Sequence, residues 1–332
     1  MARFVVRLLI FLAPLIIIVG AAIYIDPLDR FTGWQGLEQI NADYRRTKIE
    51  DYLARKPRDY DAFVFGSSRV MRLRNEFFGS HGYNSYNFGY NMARIEDVYL
   101  NLRLVLDEND VPPRLVVLGI EPEMFLPELP LHPQTMRLPE LTRYLPDDPG
   151  LTREPPGDSL KLIVEAARLV FPALYYNIAE VRPGVEFALD PRTGDYLIET
   201  PAPEPVKLSA TILEFLHGVY SGNDKLDPVR RTYYRRIVDL CAERDIELVA
   251  FTTANHRLLE DYLNNNTRRL DVFNELIEFA TSIDSPRYSF FDFADVGVFG
   301  GDPEGFNDIA HIDAVNSRRL VDFLFQAITT NS

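Results

Sequence analysis

Beyond residue 60 the chain alternates between two hydrophobic periods. Short apolar runs of four to six residues, rich in Val, Ile and Phe, occupy 62–65, 83–88, 115–120, 246–251 and 289–293. Runs of this length predict strands buried on both faces. Between them the apolar positions repeat at helical spacing. Ile95, Val98, Tyr99, Leu102, Val105 and Leu106 share one face, and Val272, Leu276, Phe279 and Ala280 share another. Asp227 followed by Pro228 reads as an N-cap with proline at the first helical position, opening a helix to about residue 244. A last helical pattern covers 315–328. Strands alternating with helices predict an α/β fold: a three-layer α/β/α sandwich around a parallel five-stranded sheet.

Residues 123–222 break that rhythm. Eight prolines lie between Pro127 and Pro156, which predicts extended, irregular chain. A helix is expected over 159–171, and 185–200 reads as a hairpin around Pro191 and Gly194. The segment of about 123–222 is therefore expected to be an insertion after the third strand, within a domain of 61–332.

The N-terminus follows a third pattern. Residues 8–25 form an 18-residue run without a charge, preceded by Arg3 and Arg7 and followed by Asp26 and Asp29. At about 1.5 Å per residue such a helix nearly spans a hydrocarbon core of about 30 Å. The charge asymmetry places residues 1–7 in the cytoplasm and the rest of the chain outside. This predicts one transmembrane helix at 8–25, a connecting segment at 26–60, and an extracytoplasmic (periplasmic) domain held at the membrane. A cleaved signal peptide is the rival reading.

Composition narrows the function. A formal net charge of −14 argues against nucleic acid as a partner. The one cysteine, Cys241, excludes an internal disulfide and sits on an apolar helix stripe. No grouping of His, Asp and Glu has metal-ligand spacing and no glycine-rich phosphate loop occurs, so neither a metal nor a cofactor is expected.

In a parallel sheet the residues following each strand gather at one edge. Here these are Gly66-Ser67-Ser68-Arg69, then Gly89-Tyr90-Asn91, Glu121, the stretch from Thr252 to His256, and finally "FNDIAHIDAVNSRRL". A serine hydroxyl needs a base to become a nucleophile, and imidazole has a suitable pKa. The imidazole in turn needs an acceptor on its far nitrogen. Asp308 and His311, three apart, can supply orienter and base from one loop, with Asp313 as an alternative orienter. A turn into a helix at Ser68 would aim free N–H groups at a developing oxyanion.

Gly-x-Ser after the first strand, a glycine after the second and Asp-x-x-His near the C-terminus resemble the SGNH, or GDSL-type, hydrolases. The "FGSSR" form and the single N-terminal anchor resemble the extracytoplasmic members that modify cell-surface polymers, such as the alginate O-acetylation proteins and the D-alanyl transfer protein of teichoic acid synthesis. The resemblance covers about 60–125 and 225–328. It implies an SGNH-like, flavodoxin-like fold with Ser68 as nucleophile, His311 as base and Asp308 as its orienter. It further implies an oxyanion hole from the N–H groups of Ser68 and Gly89, a polysaccharide acceptor, and a multi-pass membrane acyltransferase as acyl donor. Two departures stand out. Ser67 occupies the place of the motif's Asp, and Gly119-Ile120-Glu121-Pro122 lacks the asparagine donor of efficient hydrolases.

Arg69, Asn91, Glu121 and His256 are candidate substrate contacts. Glu121 is equally read as accepting a hydrogen bond from the loop after the first strand, or as pairing with Arg69 or Arg94. His256 is equally read as the cap of the following helix. Three functions compete: O-acyl transfer to a cell-surface polysaccharide, an esterase removing such groups, and an inactive binding or scaffold domain.

Overall fold

The computed structural model describes, besides Ala13, residues 44–127, 131–132, 135–136, 138–145, 189–197, 220 and 225–331. Apart from Ala13 and Tyr44, these fall in one compact unit, Arg45–Gly150 with Phe187–Ser332. Ala13 apart, the apolar run 8–25 lies outside the described residues, as do the helix expected at 159–171 and most of the segment 123–222. Among the described residues no helix is long and apolar enough to cross a membrane.

In chain order the elements are α1 (Arg45–Ala54), β1 (Ala62–Gly66), α2 (Asn75–Gly79), β2 (Ser85–Gly89), α3 (Ile95–Glu108), β3 (Leu115–Ile120), α4 (Pro139–Thr142), α5 (Pro228–Glu243), β4 (Glu247–Thr252), α6 (Arg257–Asn266), α7 (Arg269–Thr281), β5 (Tyr288–Phe291) and α8 (Ala314–Asn331). The five strands form one parallel sheet of order β2-β1-β3-β4-β5. The strands stand where the apolar runs predict them, each shifted by no more than two residues at either end. Parallel pairing with crossover helices buries both faces of β1, β2 and β3; β1 and β3 accordingly read as continuous apolar runs, while β2 also buries the polar Ser85 and Asn87.

Side chains of each strand still divide between two layers. Ala62, Val64, Leu115, Val117, Val249 and Phe251 point to one side and pack with Phe77 and Phe78 of α2 and Leu320, Val321 and Leu324 of α8. Phe63, Tyr86 and Phe88 point to the other. There they close on Tyr52 of α1, with ring centroids 5.2 Å apart for both Tyr52–Tyr86 and Tyr52–Phe88. On α5, Asp227 accepts the Val229 N–H as expected of an N-cap. Cys241 is fully buried there, and burial pushes its thiol up to about 12.

Helix α1 lies in the segment 26–60, read from sequence as a connector. Its inward side carries charges as well as Ile49 and Tyr52, because Arg45 and Lys48 are fully buried. Arg45 pairs with the buried Asp97 at 3.3 Å. Lys48 Nζ donates to the carbonyls of Asn87 and Gly89 at 2.9 and 2.8 Å, satisfying acceptors of the edge strand β2. The tip of the expected hairpin, bridged at Leu189 and Tyr196, finishes the same edge: Asn87 N–H donates to Thr193 O at 2.8 Å. A sheet edge covered in this way cannot template pairing with another chain.

Candidate active site

The chain runs from β1 outward to β2 and then returns past β1 to β3. This reversal marks the crevice in which open parallel sheets hold ligands. The chain leaves β1 through Gly66 at φ +146°, and a Cβ there would lie 2.7 Å from Gly119 O, so only glycine fits. Ser67 then caps one 3-10 turn, Ser68–Val70, by accepting the Arg69 N–H. Val70 sinks onto the sheet where the strand ends lack side chains. A Cβ on Gly119 would overlap it, and one on Gly89 would come within 2.9 Å of it. With Val70 buried beneath, Ser68 is left half-buried at the rim.

Ser68 Oγ lies 2.8 Å from His311 Nε2. The far side of the ring faces Asp308, with His311 Nδ1 2.7 Å from Oδ2 and 2.9 Å from Oδ1. An ionised carboxylate only accepts, so Nδ1 carries the proton and Nε2 is left to accept from Ser68. Asp308 Oδ1 also accepts the N–H groups of Ala310 and His311, at 2.8 and 2.9 Å. Burial alone would raise the Asp308 pKa. The hydrogen bond and charge of His311, with the two N–H donors, outweigh it and hold the carboxyl at about 2. The loop is closed by Asn307 N–H to His311 O at 2.8 Å and tied to the end of β4 by His256 N–H to Ile309 O at 3.0 Å. The three residues nominated from sequence thus form one hydrogen-bonded chain.

Asp313 does not orient the imidazole. Its carboxylate accepts the Asn316 N–H at 2.7 Å, at the start of α8. Gly89 is not free to serve an oxyanion, because its N–H donates to Asn87 Oδ1 at 2.7 Å. That glycine is required instead by the close approach of Val70. The N–H of Ser68, first residue of its turn, has no hydrogen bond among the described residues and stays available as a donor.

Three candidate substrate contacts turn inward. His256 is 6% exposed. Its Nδ1 accepts the Leu258 N–H at the start of α6, so the ring caps that helix. The Arg69 side chain is buried, donating to Thr253 Oγ1 at 3.2 Å and facing Glu123 Oε1 at 3.5 Å. Glu121, also buried, accepts from Thr253 Oγ1 at 3.2 Å. Burial raises the Glu121 pKa, against the pull of Arg69 and with the added repulsion of Glu123. Asn91 is half-buried after β2 and makes no hydrogen bond among the described residues, so it alone of the four stays at the rim unengaged. Next to it Met92 has φ 54°, a left-handed conformation unusual for a side chain of its size. Glu123 and Thr253 were not singled out from sequence, and nothing in their own residue types marks them.

By sequence, no known protein family matches the chain and no curated protein does. Among solved structures, the chain is similar to one from Bacteroides ovatus provisionally described as a GDSL-like lipase. That match has a TM-score of 0.37 and 14% identity over 83% of this chain and 54% of the other. Another, from Bacteroides fragilis and provisionally described as an acylhydrolase, has a TM-score of 0.38 and 14% identity over 90% of this chain and 98% of its own. The chain therefore spans about half the length of the first and nearly all of the second. Likeness at this level does not bear on activity.

Proposed function

We propose that this chain is a serine enzyme of SGNH type that handles acyl esters through an acyl-Ser68 intermediate. The observation that carries the reading is the Ser68–His311–Asp308 chain of hydrogen bonds at the topological reversal of the sheet. In the first half-reaction the Ser68 hydroxyl gives its proton to His311 Nε2 and Oγ adds to the acyl carbonyl. Asp308 accepts from Nδ1 and stabilises the imidazolium. The imidazolium then protonates the leaving alcohol. The second half-reaction repeats these steps in reverse with an incoming hydroxyl. The Ser68 N–H supplies one donor to the oxyanion.

The acceptor we propose is a hydroxyl of a cell-surface polysaccharide, with an acetyl or similar small acyl group delivered by a multi-pass membrane acyltransferase and residues 8–25 as the anchor. The position taken in efficient hydrolases by an asparagine donor is here the buried Glu121, which favours a positioned acceptor over rapid hydrolysis. Ester hydrolysis is the second reading, favoured by the 53% exposure of the Asp308 side chain, which leaves the site open to water. A fluorophosphonate should label the purified protein at Ser68, and a small acyl ester should be consumed faster when a glycan acceptor is added. Absence of labelling would overturn the enzymatic reading. Labelling with acyl release to water alone would leave the esterase.

A further inference from the structure

Both sequence neighbours of Ser68 are anchored in one buried polar network. The Ser67 hydroxyl accepts the Arg69 N–H at 3.3 Å and stands near the Glu121 carboxylate, whose pKa it lowers. Glu121 Oε2 accepts from Thr253 Oγ1 at 3.2 Å, and the same Oγ1 accepts from Arg69 Nη1 at 3.2 Å. Arg69 Nη2 faces Glu123 Oε1 at 3.5 Å. Ser67, Glu121, Glu123 and Thr253 are each at most 6% exposed. The members come from three strand ends: Ser67 and Arg69 follow β1, Glu121 and Glu123 follow β3, and Thr253 follows β4. Glu123 in turn is held in its ionised form by Arg69 and Arg269 against the effect of burial.

One hydroxyl joins the two halves of this network. Thr253 Oγ1 accepts from the cation on one side of Ser68 and donates to Glu121, the carboxylate near Ser67 on its other side. Without that hydroxyl a buried guanidinium N–H and a buried carboxylate oxygen both lose a partner, which is costly in a network shielded from water. The Arg69 and Glu121 groups then gain by moving toward each other. Each is one bond network away from Ser68, so such a shift moves Oγ relative to His311. We propose that Thr253, with Arg69 and Glu121, is a positioning residue that sets the Ser68 turn for attack. This rests on the acyl-Ser68 reading above and assigns none of the three a contact with substrate.

The test compares Thr253→Val, which keeps the shape and removes the hydroxyl, with Thr253→Ser, which keeps the hydroxyl. Fluorophosphonate labelling rates, steady-state ester turnover and melting temperature are measured for both variants and for the unaltered protein. The expectation is labelling and kcat slowed about tenfold or more in Thr253→Val, equivalent to one misplaced hydrogen bond, with KM little changed. Thr253→Ser is expected within about twofold of the unaltered protein, on the same scale of rate per hydrogen bond. Labelling of Thr253→Val at the full rate would overturn the proposal, as would equal slowing in Thr253→Ser. Should Thr253→Val not fold, Glu121→Gln replaces it, and full-rate labelling there has the same force. An unaltered protein that is not labelled at Ser68 would refute the enzymatic reading itself, a result distinct from either.

Discussion

Asp308→Asn separates orientation of the base from mere proximity of its partner. The carboxylate is used on both oxygens: Oδ1 takes the N–H groups of Ala310 and His311, while Oδ2 is the closer partner of His311 Nδ1 at 2.7 Å. An asparagine amide cannot accept through its nitrogen, so its oxygen must stay with the two N–H groups. The amide NH₂ then falls at the Oδ2 position and donates to Nδ1. The ring proton is driven to Nε2, which now presents N–H to Ser68 and cannot take its proton. Restoring the working tautomer sets two donors against each other, at about 1–3 kcal/mol, and forfeits a charge-assisted bond worth about 1.5–3 kcal/mol. The sum corresponds to roughly 10²- to 10⁴-fold in rate. Because Oδ1 keeps its two turn bonds, the loop should still close, although the variant loses the stability that the ionised Asp308 contributes. The assay is the second-order rate of fluorophosphonate labelling near neutral pH, paired with a melting curve. His311→Ala should be slower still, since no base remains. An Asp308→Asn protein that is folded at the assay temperature and is labelled within tenfold of the unaltered rate, the span of about 1.4 kcal/mol, would refute this tautomer argument.

Other substitutions test the frame around the site. Gly119→Ala would drive a methyl into Val70 Cγ1 and should destabilise by about 1–3 kcal/mol, as overpacking does. Val70→Ala should relieve part of that loss in the double variant, and strictly additive denaturation energies would argue against the contact. Lys48 is held at about 7 by burial, partly offset by Asp195, whereas its ordinary value is 10.5. The unfolded chain therefore binds the extra proton between those values, so stability should rise with pH across that window by up to about 1.4 kcal/mol per unit. Urea titrations from pH 7 to 10 should show that slope in the unaltered protein and not in Lys48→Met. For Asp308 the slope has the same sign but arises from favourable partners: its folded pKa of about 2 lies below the ordinary 3.8, so its contribution is complete above 3.8 and is lost as pH falls toward 2, a loss that Asp308→Asn should not show.

What could be read along the chain is what local physics decides. The strands and the helices α3, α5, α7 and α8 were legible because burial on one or both faces imposes a period on neighbouring residues. Ser68, Asp308 and His311 were legible because their chemistry depends on residue type next to a turn, and Asp-x-x-His closes within one loop. Helix α1 was not, because its buried residues Arg45 and Lys48 are charged and become acceptable inside only opposite Asp97 and the carbonyls of β2. Gly89 was given an oxyanion role from its place in a motif. The fold gives it a steric one, since Val70 arrives from another part of the chain and Asn87 takes its N–H. His256 and Arg69 looked like rim residues until packing turned them inward. The meeting of Ser68 with His311 across 243 positions, and of Glu121 with Thr253 across 132, depends on strand order. Strand order is a property of the assembled sheet: each pairing is chosen by competition among all strands for buried area, and no window of sequence contains that competition.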